Sequence, residues 1–205
     1  MFVLGITGGI GTGKTTVASI VKAAGIPVLD ADQISHELTS NPGPTLDKVF
    51  AAFGEELKNE AGTLDRSKMA DVVFHNKRAL DQLESIIHED VMNYIIAELE
   101  EARKNKVRVI ALDVPIPVKH GFLDQADLVW VVTCSEEKRI NRLIRRGLSR
   151  EDAERRLAIQ MTDAEYEAVG DFVISNDGSL EELYKKVREQ LKFELESRGI
   201  KLAGL

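Results

Sequence analysis

The chain has 205 residues, 43% apolar and 30% charged, with 27 Lys plus Arg against 34 Asp plus Glu, for a net charge of −7. That much apolar content excludes an intrinsically disordered chain, and a single cysteine excludes a scaffold stapled by internal disulfides. The acidic balance weighs against nucleic acid, which usually asks for a net basic face, and leaves small anionic ligands open because they respond to local charge.

Met1-Phe2-Val3-Leu4 opens the chain without a basic flank and is interrupted at once by glycines, so it reads as a buried strand over Phe2–Ile6 and not as a signal peptide. No later run approaches the roughly 18 apolar residues of a membrane span, and a cytoplasmic protein is the expectation. Directly after the strand stands Gly8-Gly9-Ile10-Gly11-Thr12-Gly13-Lys14-Thr15, which fits G-x-x-x-x-G-K-[ST]. Glycines allow the backbone to turn several N–H groups toward phosphate oxygens, and the predicted helix Lys14–Ala24 adds its N-terminal dipole. Lys14 would reach the β- and γ-phosphates, and the Thr15 hydroxyl can ligate Mg²⁺. A dinucleotide fingerprint is a competing use of the glycines, but it gives the Lys-Thr pair no role.

A short strand, Pro27–Leu29, leads into Asp30-Ala31-Asp32 and a helix over Ala31–Thr39. Strand ends in parallel sheets face the ligand crevice, so Asp32 is a candidate base for an attacking hydroxyl, while either aspartate could instead cap the helix. From residue 31 to residue 106 no strand is legible. Turn signals at Asn41-Pro42-Gly43-Pro44 and Ala61-Gly62-Thr63 cut this stretch into helical pieces, the last running from Lys77 to about Lys104. A plain crossover needs far less chain, so the stretch is expected to be a helical insertion with its own task.

The strand Val107–Leu112 ends in Asp113, placed to hold Mg²⁺ directly or through water, or else to cap the next turn. Leu128–Thr133 is the fourth strand, and Cys134 after it reads as a small buried hydrophobe. The helix Glu136–Arg146 carries a basic run in which Arg142 and Arg146 lie four apart on one face. Arginines there could close over transferring phosphoryl oxygens. A polar segment over 145–167 should hold two short helices and act as a lid. Phe172–Ile174 is the fifth strand, and Ser179–Ser197 the last helix, opened by a Ser179–Glu182 capping box. Short, wholly apolar strands alternating with helices predict an α/β fold, a parallel five-stranded sheet with helices on both faces, in one domain over 1–205. Histidines 36, 75, 88 and 120 have no metal-ligand spacing, which argues against structural zinc. A GTPase is disfavoured because Asn76-Lys77-Arg78-Ala79 lacks the Asp of N-K-x-D.

These residues together resemble the dephospho-coenzyme A kinase family over nearly the whole chain. Leu4 to Thr16 is similar to its opening, and Asp30-Ala31-Asp32-Gln33-Ile34-Ser35-His36 to its D-A-D-x-[IL]-x-[HR]. Leu64-Asp65-Arg66, Phe74 and Leu83-Glu84-Ser85-Ile86-Ile87-His88 resemble its helical acceptor region, and Arg142, Arg146, Arg156 and Gln160 its lid. Asp171 to Gly178 is similar to the strand and turn beside its adenine site. The resemblance implies a P-loop kinase core that phosphorylates the ribose 3′-hydroxyl of dephospho-CoA from ATP with Mg²⁺, giving coenzyme A and ADP. Asp32 would be the base. Lys14, Arg142 and Arg146 would hold phosphates, and Gly9, Gly11, Thr12, Gly13, Thr15, Thr16 and Asn176 would line the nucleotide. Arg66 and His88 would face the acceptor, with Thr15 and Asp113 at the metal.

The chain departs from the family pattern at three places. Ile116-Pro117-Val118-Lys119 stands where Leu-Leu-x-Glu is usual, His88-Glu89 replaces His-Pro, and Tyr166 occupies a basic position near the end of the lid. The first departure keeps another small-molecule kinase open as an alternative. A nucleotide switch that transfers nothing is the alternative from a different class. No oligomeric state can be read from the sequence.

Overall fold

Five apolar runs become five parallel strands, β1 (Phe2–Thr7), β2 (Val28–Asp30), β3 (Val109–Asp113), β4 (Leu128–Thr133) and β5 (Phe172–Ser175), in the order β2-β3-β1-β4-β5. The computed structural model describes residues 1–74, 76–115 and 121–201. The departure at Ile116–Lys119 lies outside these residues, as do His75 and His120. Among the described residues, helices α1 (Lys14–Ala23), α2 (Ala31–Ser40), α3 (Pro44–Phe53), α4 (Arg66–Phe74), α5 (Lys77–Lys104), α6 (Glu136–Arg145), α7 (Arg150–Ala158), α8 (Asp163–Glu167) and α9 (Leu180–Ser197) fill the connections. No helix among them is long and apolar enough to cross a membrane.

Four strands, β1, β2, β3 and β5, run one residue further than expected, and two strand starts differ from the expected ones, each for a local reason. Pro27 has no N–H to give a ladder, and only its carbonyl joins, accepting from Ala111 N at 2.9 Å, so β2 starts at Val28. β3 starts at Val109 because the residues before it finish α5. Lys106 takes a left-handed φ of 58°, and Val107 N reaches back to the Ala102 carbonyl at 2.9 Å, a helix stop of the Schellman kind.

The chain divides into two compact units, Met1–Asp30 with Ala102–Leu205, and Ala31–Glu101. In the first, alternate residues of each strand face opposite layers. Leu4 and Ile6 of β1, Val109 and Ala111 of β3, Trp130 and Val132 of β4 and Ile174 of β5 pack with Val17 and Val21 of α1 and Leu183, Val187 and Leu191 of α9. The intervening residues Val129 and Val131 turn the other way, onto Tyr166 of α8 and Met161. Burial on both faces explains why these strands read as continuous apolar runs. The Ser179 capping box forms as expected and fixes the start of α9.

The second unit has its own core. Leu46, Val49 and Phe50 of α3 meet Leu57, Met69 of α4 and the half-buried Leu83 and Ile86 of α5. Pro44 starts α3, where its missing N–H costs nothing. Asn59 Oδ1 accepts from Ala61 N and Thr63 N, both at 3.0 Å, and so makes the expected turn before α4.

Candidate active site

In an all-parallel sheet the carboxyl ends of the strands share one edge, where ligands of such folds bind. That edge carries the phosphate loop after β1, Asp113 at the end of β3, Ser135 after β4, and Asn176 and Asp177 after β5. Register pairs Ile6 with Asp113 and Thr133 with Ser175. Sequence spacing alone cannot bring these positions together; the sheet does.

The loop is held from outside, through its carbonyls. Thr12 Oγ1 donates to the Gly9 carbonyl at 2.8 Å, and Arg139 Nε to that of Ile10 at 2.9 Å. Arg142 Nη1 donates to the carbonyls of Gly11 and Thr12, both at 2.9 Å, and the buried Asn176 Nδ2 to Thr12 at 2.7 Å. With every carbonyl from Gly9 to Thr12 taken, the N–H groups of Gly11, Gly13, Lys14 and Thr15 have no acceptor within the chain among the described residues. Those of Lys14 and Thr15 belong to the first turn of α1, which no helix can satisfy internally. Such a set of N–H groups on one short turn is an anion-binding nest. Gly13 is the N-cap of α1 with φ 99°, and a Cβ there would run into Asn176 Nδ2, so both the conformation and the space call for glycine.

Lys14 forms an ion pair with Asp113, which is 1% exposed. Thr15 is exposed, and Thr16 is half-buried on the same turn. Arg142 sits differently from the expectation that it closes over the nucleotide. Its two terminal nitrogens are both spent on main-chain carbonyls, Nη2 on that of Asn176 at 3.1 Å, so it braces the loop. Arg146 caps the end of α6 and is exposed, with no side-chain partner among the described residues. Sequence reasoning passed over Arg139, which is 6% exposed. The available signal was its place beside Ile140 and four residues before Leu143, on the buried stripe of α6.

The segment expected to act as a lid, over 145–167, forms the two expected helices, α7 and α8. Ser149 caps α7, and a Thr162–Glu165 capping box starts α8. Gln160 Oε1 accepts from Ile10 N at 2.8 Å. At the position where the family pattern has a basic residue, Tyr166 is 2% exposed and donates from its hydroxyl to the Pro115 carbonyl at 3.3 Å. Burial pushes its phenol pKa up, with Arg139 pulling the other way. Cys134 is buried as expected, and burial raises its thiol pKa.

Asp177 ties the ends of β4 and β5 together. Its carboxylate accepts from Ser135 N at 2.9 Å and Ser175 Oγ at 3.2 Å, and these bonds, Ser135 first, hold its pKa at about 2. A carboxyl depressed in the folded state stabilises the fold fully above its ordinary range of about 4 and loses that contribution as pH falls through the folded value. Asp177→Asn is therefore expected to flatten the fall in melting temperature between pH 4 and pH 2. Parallel wild-type and variant melting curves over that interval would remove this role.

In the second unit, Asp32 is exposed in the first turn of α2, two residues along the chain from the end of β2. An acidic side chain there complements the helix dipole. Arg66, the first residue of α4, donates from Nη2 to Ser40 Oγ at 3.0 Å and Thr39 Oγ1 at 3.2 Å, and lies 3.5 Å from His36 Nδ1. It thus joins α4 to the D-A-D-x-I-x-H helix. His88 is half-buried midway along α5. Lys48 of α3 pairs at 2.5 Å with Asp90, two residues further along α5.

The sequence model of the dephospho-CoA kinase family matches residues 2–182, a span that includes the phosphate loop, Asp32, helices α7 and α8, and Asn176. The chain is 38% identical over 196 residues to a dephospho-CoA kinase of Latilactobacillus sakei, with 95% of each chain covered. A solved Thermus thermophilus protein is 30% identical with a TM-score of 0.74, covering 94% of this chain and 97% of its own. A solved dephospho-CoA kinase from Campylobacter jejuni, 24% identical, has the same fold, with a TM-score of 0.73 over 96% of this chain and 98% of its own. The match runs through both units and through each motif whose geometry is described above, and the chain belongs to the dephospho-CoA kinase family.

Proposed function

We propose that this kinase transfers the γ-phosphoryl group of ATP to the ribose 3′-hydroxyl of dephospho-CoA, releasing ADP and coenzyme A in the last step of coenzyme A synthesis. The observation that carries the reading is a nest of N–H groups beside Lys14, on a loop whose outward carbonyls are all taken, in a chain of this family. The nest and Lys14 hold the β- and γ-phosphates. Asp32 accepts the proton of the attacking hydroxyl as its oxygen bonds to Pγ and the bond from Pγ to the ADP oxygen breaks. Arg146 is a cation open to the phosphoryl oxygens, while Arg142 and Asn176 keep the loop in shape. Arg66 and His88 serve the acceptor.

The residues that would hold a metal offer oxygens, the Thr15 hydroxyl and the Asp113 carboxylate, the latter paired with Lys14 in this structure. Among the described residues no group of three or more His, Cys, Asp or Glu could hold a metal ion. That set fits Mg²⁺, a hard cation usually bound by one or two protein oxygens together with substrate phosphates. When bound, Mg²⁺ supplies charge neutralisation on the phosphoryl oxygens. We place the enzyme in the cytoplasm, and nucleic acid has no part in the reading.

The test is ADP release in a coupled assay, with and without dephospho-CoA, and with a panel of nucleosides and nucleotides as other acceptors. ADP release is expected to depend on dephospho-CoA. Release with a nucleotide acceptor and none with dephospho-CoA would assign a different small-molecule kinase, and ATP turnover indifferent to every acceptor would assign a switch.

A further inference from the structure

Ile10, at the crest of the phosphate loop, is gripped through all three of its parts. Its side chain packs against the buried cluster of Ile140 and Leu143 of α6 and Ala153 of α7. Its N–H donates to Gln160 of the lid at 2.8 Å, and its carbonyl accepts from Arg139 Nε at 2.9 Å. The same guanidinium continues to the lid, where Nη1 pairs with Asp163 at 2.9 Å. A Cβ on Gly9 would stand 2.5 Å from Arg139 Nη2, so a side chain at position 9 would displace the end of the guanidinium.

The side chain of Arg139 is 7% exposed and that of Asp163 is 44% exposed. A buried guanidinium is tolerated when its donors are satisfied, and removing one partner leaves a desolvated charge. Moving α8 away from α6 would do that to Arg139, and it would loosen the Ile10 carbonyl with it. The lid and the crest of the loop therefore share one cation.

We propose that Arg139 is a positioning residue for phosphoryl transfer, a clamp between the Ile10 carbonyl and Asp163 that makes the arrangement of the lid and that of the phosphate loop change together. This role rests on the kinase reading above. Arg139 touches no reacting atom in it; it acts on ATP through the loop that receives the phosphates. The planar fork matters, because an ammonium is a point charge and cannot bond a carbonyl and a carboxylate through separate, fixed nitrogens.

The experiment uses the full chain with Arg139→Lys, Asp163→Asn and the double variant, reading the Kd for ATP by direct titration, the KM for ATP, kcat and melting temperature. Asp163 is half exposed, so its variant should keep the fold even where the Arg139 variant does not. Each single variant is expected to weaken ATP binding about tenfold, the scale of one charge-assisted hydrogen bond. KM for ATP should rise with Kd, kcat at saturating ATP should stay within about threefold, and the double variant should be no worse than the weaker single. Kd for ATP within twofold of wild type in Asp163→Asn overturns the proposal, as do single effects that multiply in the double variant. A lower melting temperature with Kd unchanged would assign Arg139 to stability alone. If the wild type fails to phosphorylate dephospho-CoA, the functional reading falls, while the ATP titrations still decide the clamp.

Discussion

An Asp32→Asn enzyme is expected to bind ATP with its affinity intact and to turn over about 10²- to 10⁴-fold more slowly, the range typical of a lost general base. The substitution keeps the size of the side chain and its place in the first turn of α2, and removes the capacity to take a proton. Asp32 is exposed and makes no contribution to a buried core, so the fold should survive with a melting temperature near that of wild type. The measurement is a pair, direct ATP titration and the steady-state rate with dephospho-CoA. A rate within threefold of wild type would remove the base role from Asp32 and leave it as a helix-end residue. Loss of ATP affinity in step with rate would make it a binding residue instead.

Lys14→Ala should fail in two ways at once. The lysine is the one cation that the loop motif itself supplies to the β- and γ-phosphates, and electrostatic contacts of this kind are worth about 10²- to 10³-fold in rate. It is also the partner of Asp113, a carboxylate only 1% exposed. Taking one member from a buried pair is strongly destabilising, and about 3 kcal/mol is expected here. The two losses separate in the double variant Lys14→Ala with Asp113→Ala, which should regain most of the melting temperature and none of the activity. If the double variant is as unstable as Lys14→Ala, the pair does not stabilise the fold. If Lys14→Ala retains more than a tenth of wild-type turnover, the phosphate role of the lysine is lost.

Much of this site is legible along the chain because its chemistry is local. The phosphate loop is eight consecutive residues between a strand and a helix, and α5 from Lys77 to Lys104 announces itself by an apolar stripe. What the sequence hides is the result of long-range pairing. Arg139 and Arg142 sit in a basic run where Lys138 and Arg145 look equivalent, and only packing of α6 on the loop turns two of them onto carbonyls about 130 residues away in the chain. Tyr166 reads as a missing cation in a linear comparison, yet as a three-dimensional object it is a buried anchor of α8 on β4. The tie that Asp177 makes is not legible until β4 and β5 lie side by side and Ser135 is brought to it. The starts of β2 and β3 moved by one and two residues, where a proline lacked a donor and where a helix needed more chain to finish.

The saturated carbonyls of the phosphate loop have a further consequence for turnover. A receptor shaped by its own scaffold before a ligand arrives spends little ordering entropy on binding, so while α7 and α8 stay in place diphosphate and triphosphate meet the same cast. Product and substrate then compete on nearly equal terms for the N–H groups of Gly11, Gly13, Lys14 and Thr15. Discrimination falls on whatever recognises the terminal phosphoryl group, and under the proposed clamp the departure of ADP would depend on how readily α7 and α8 move.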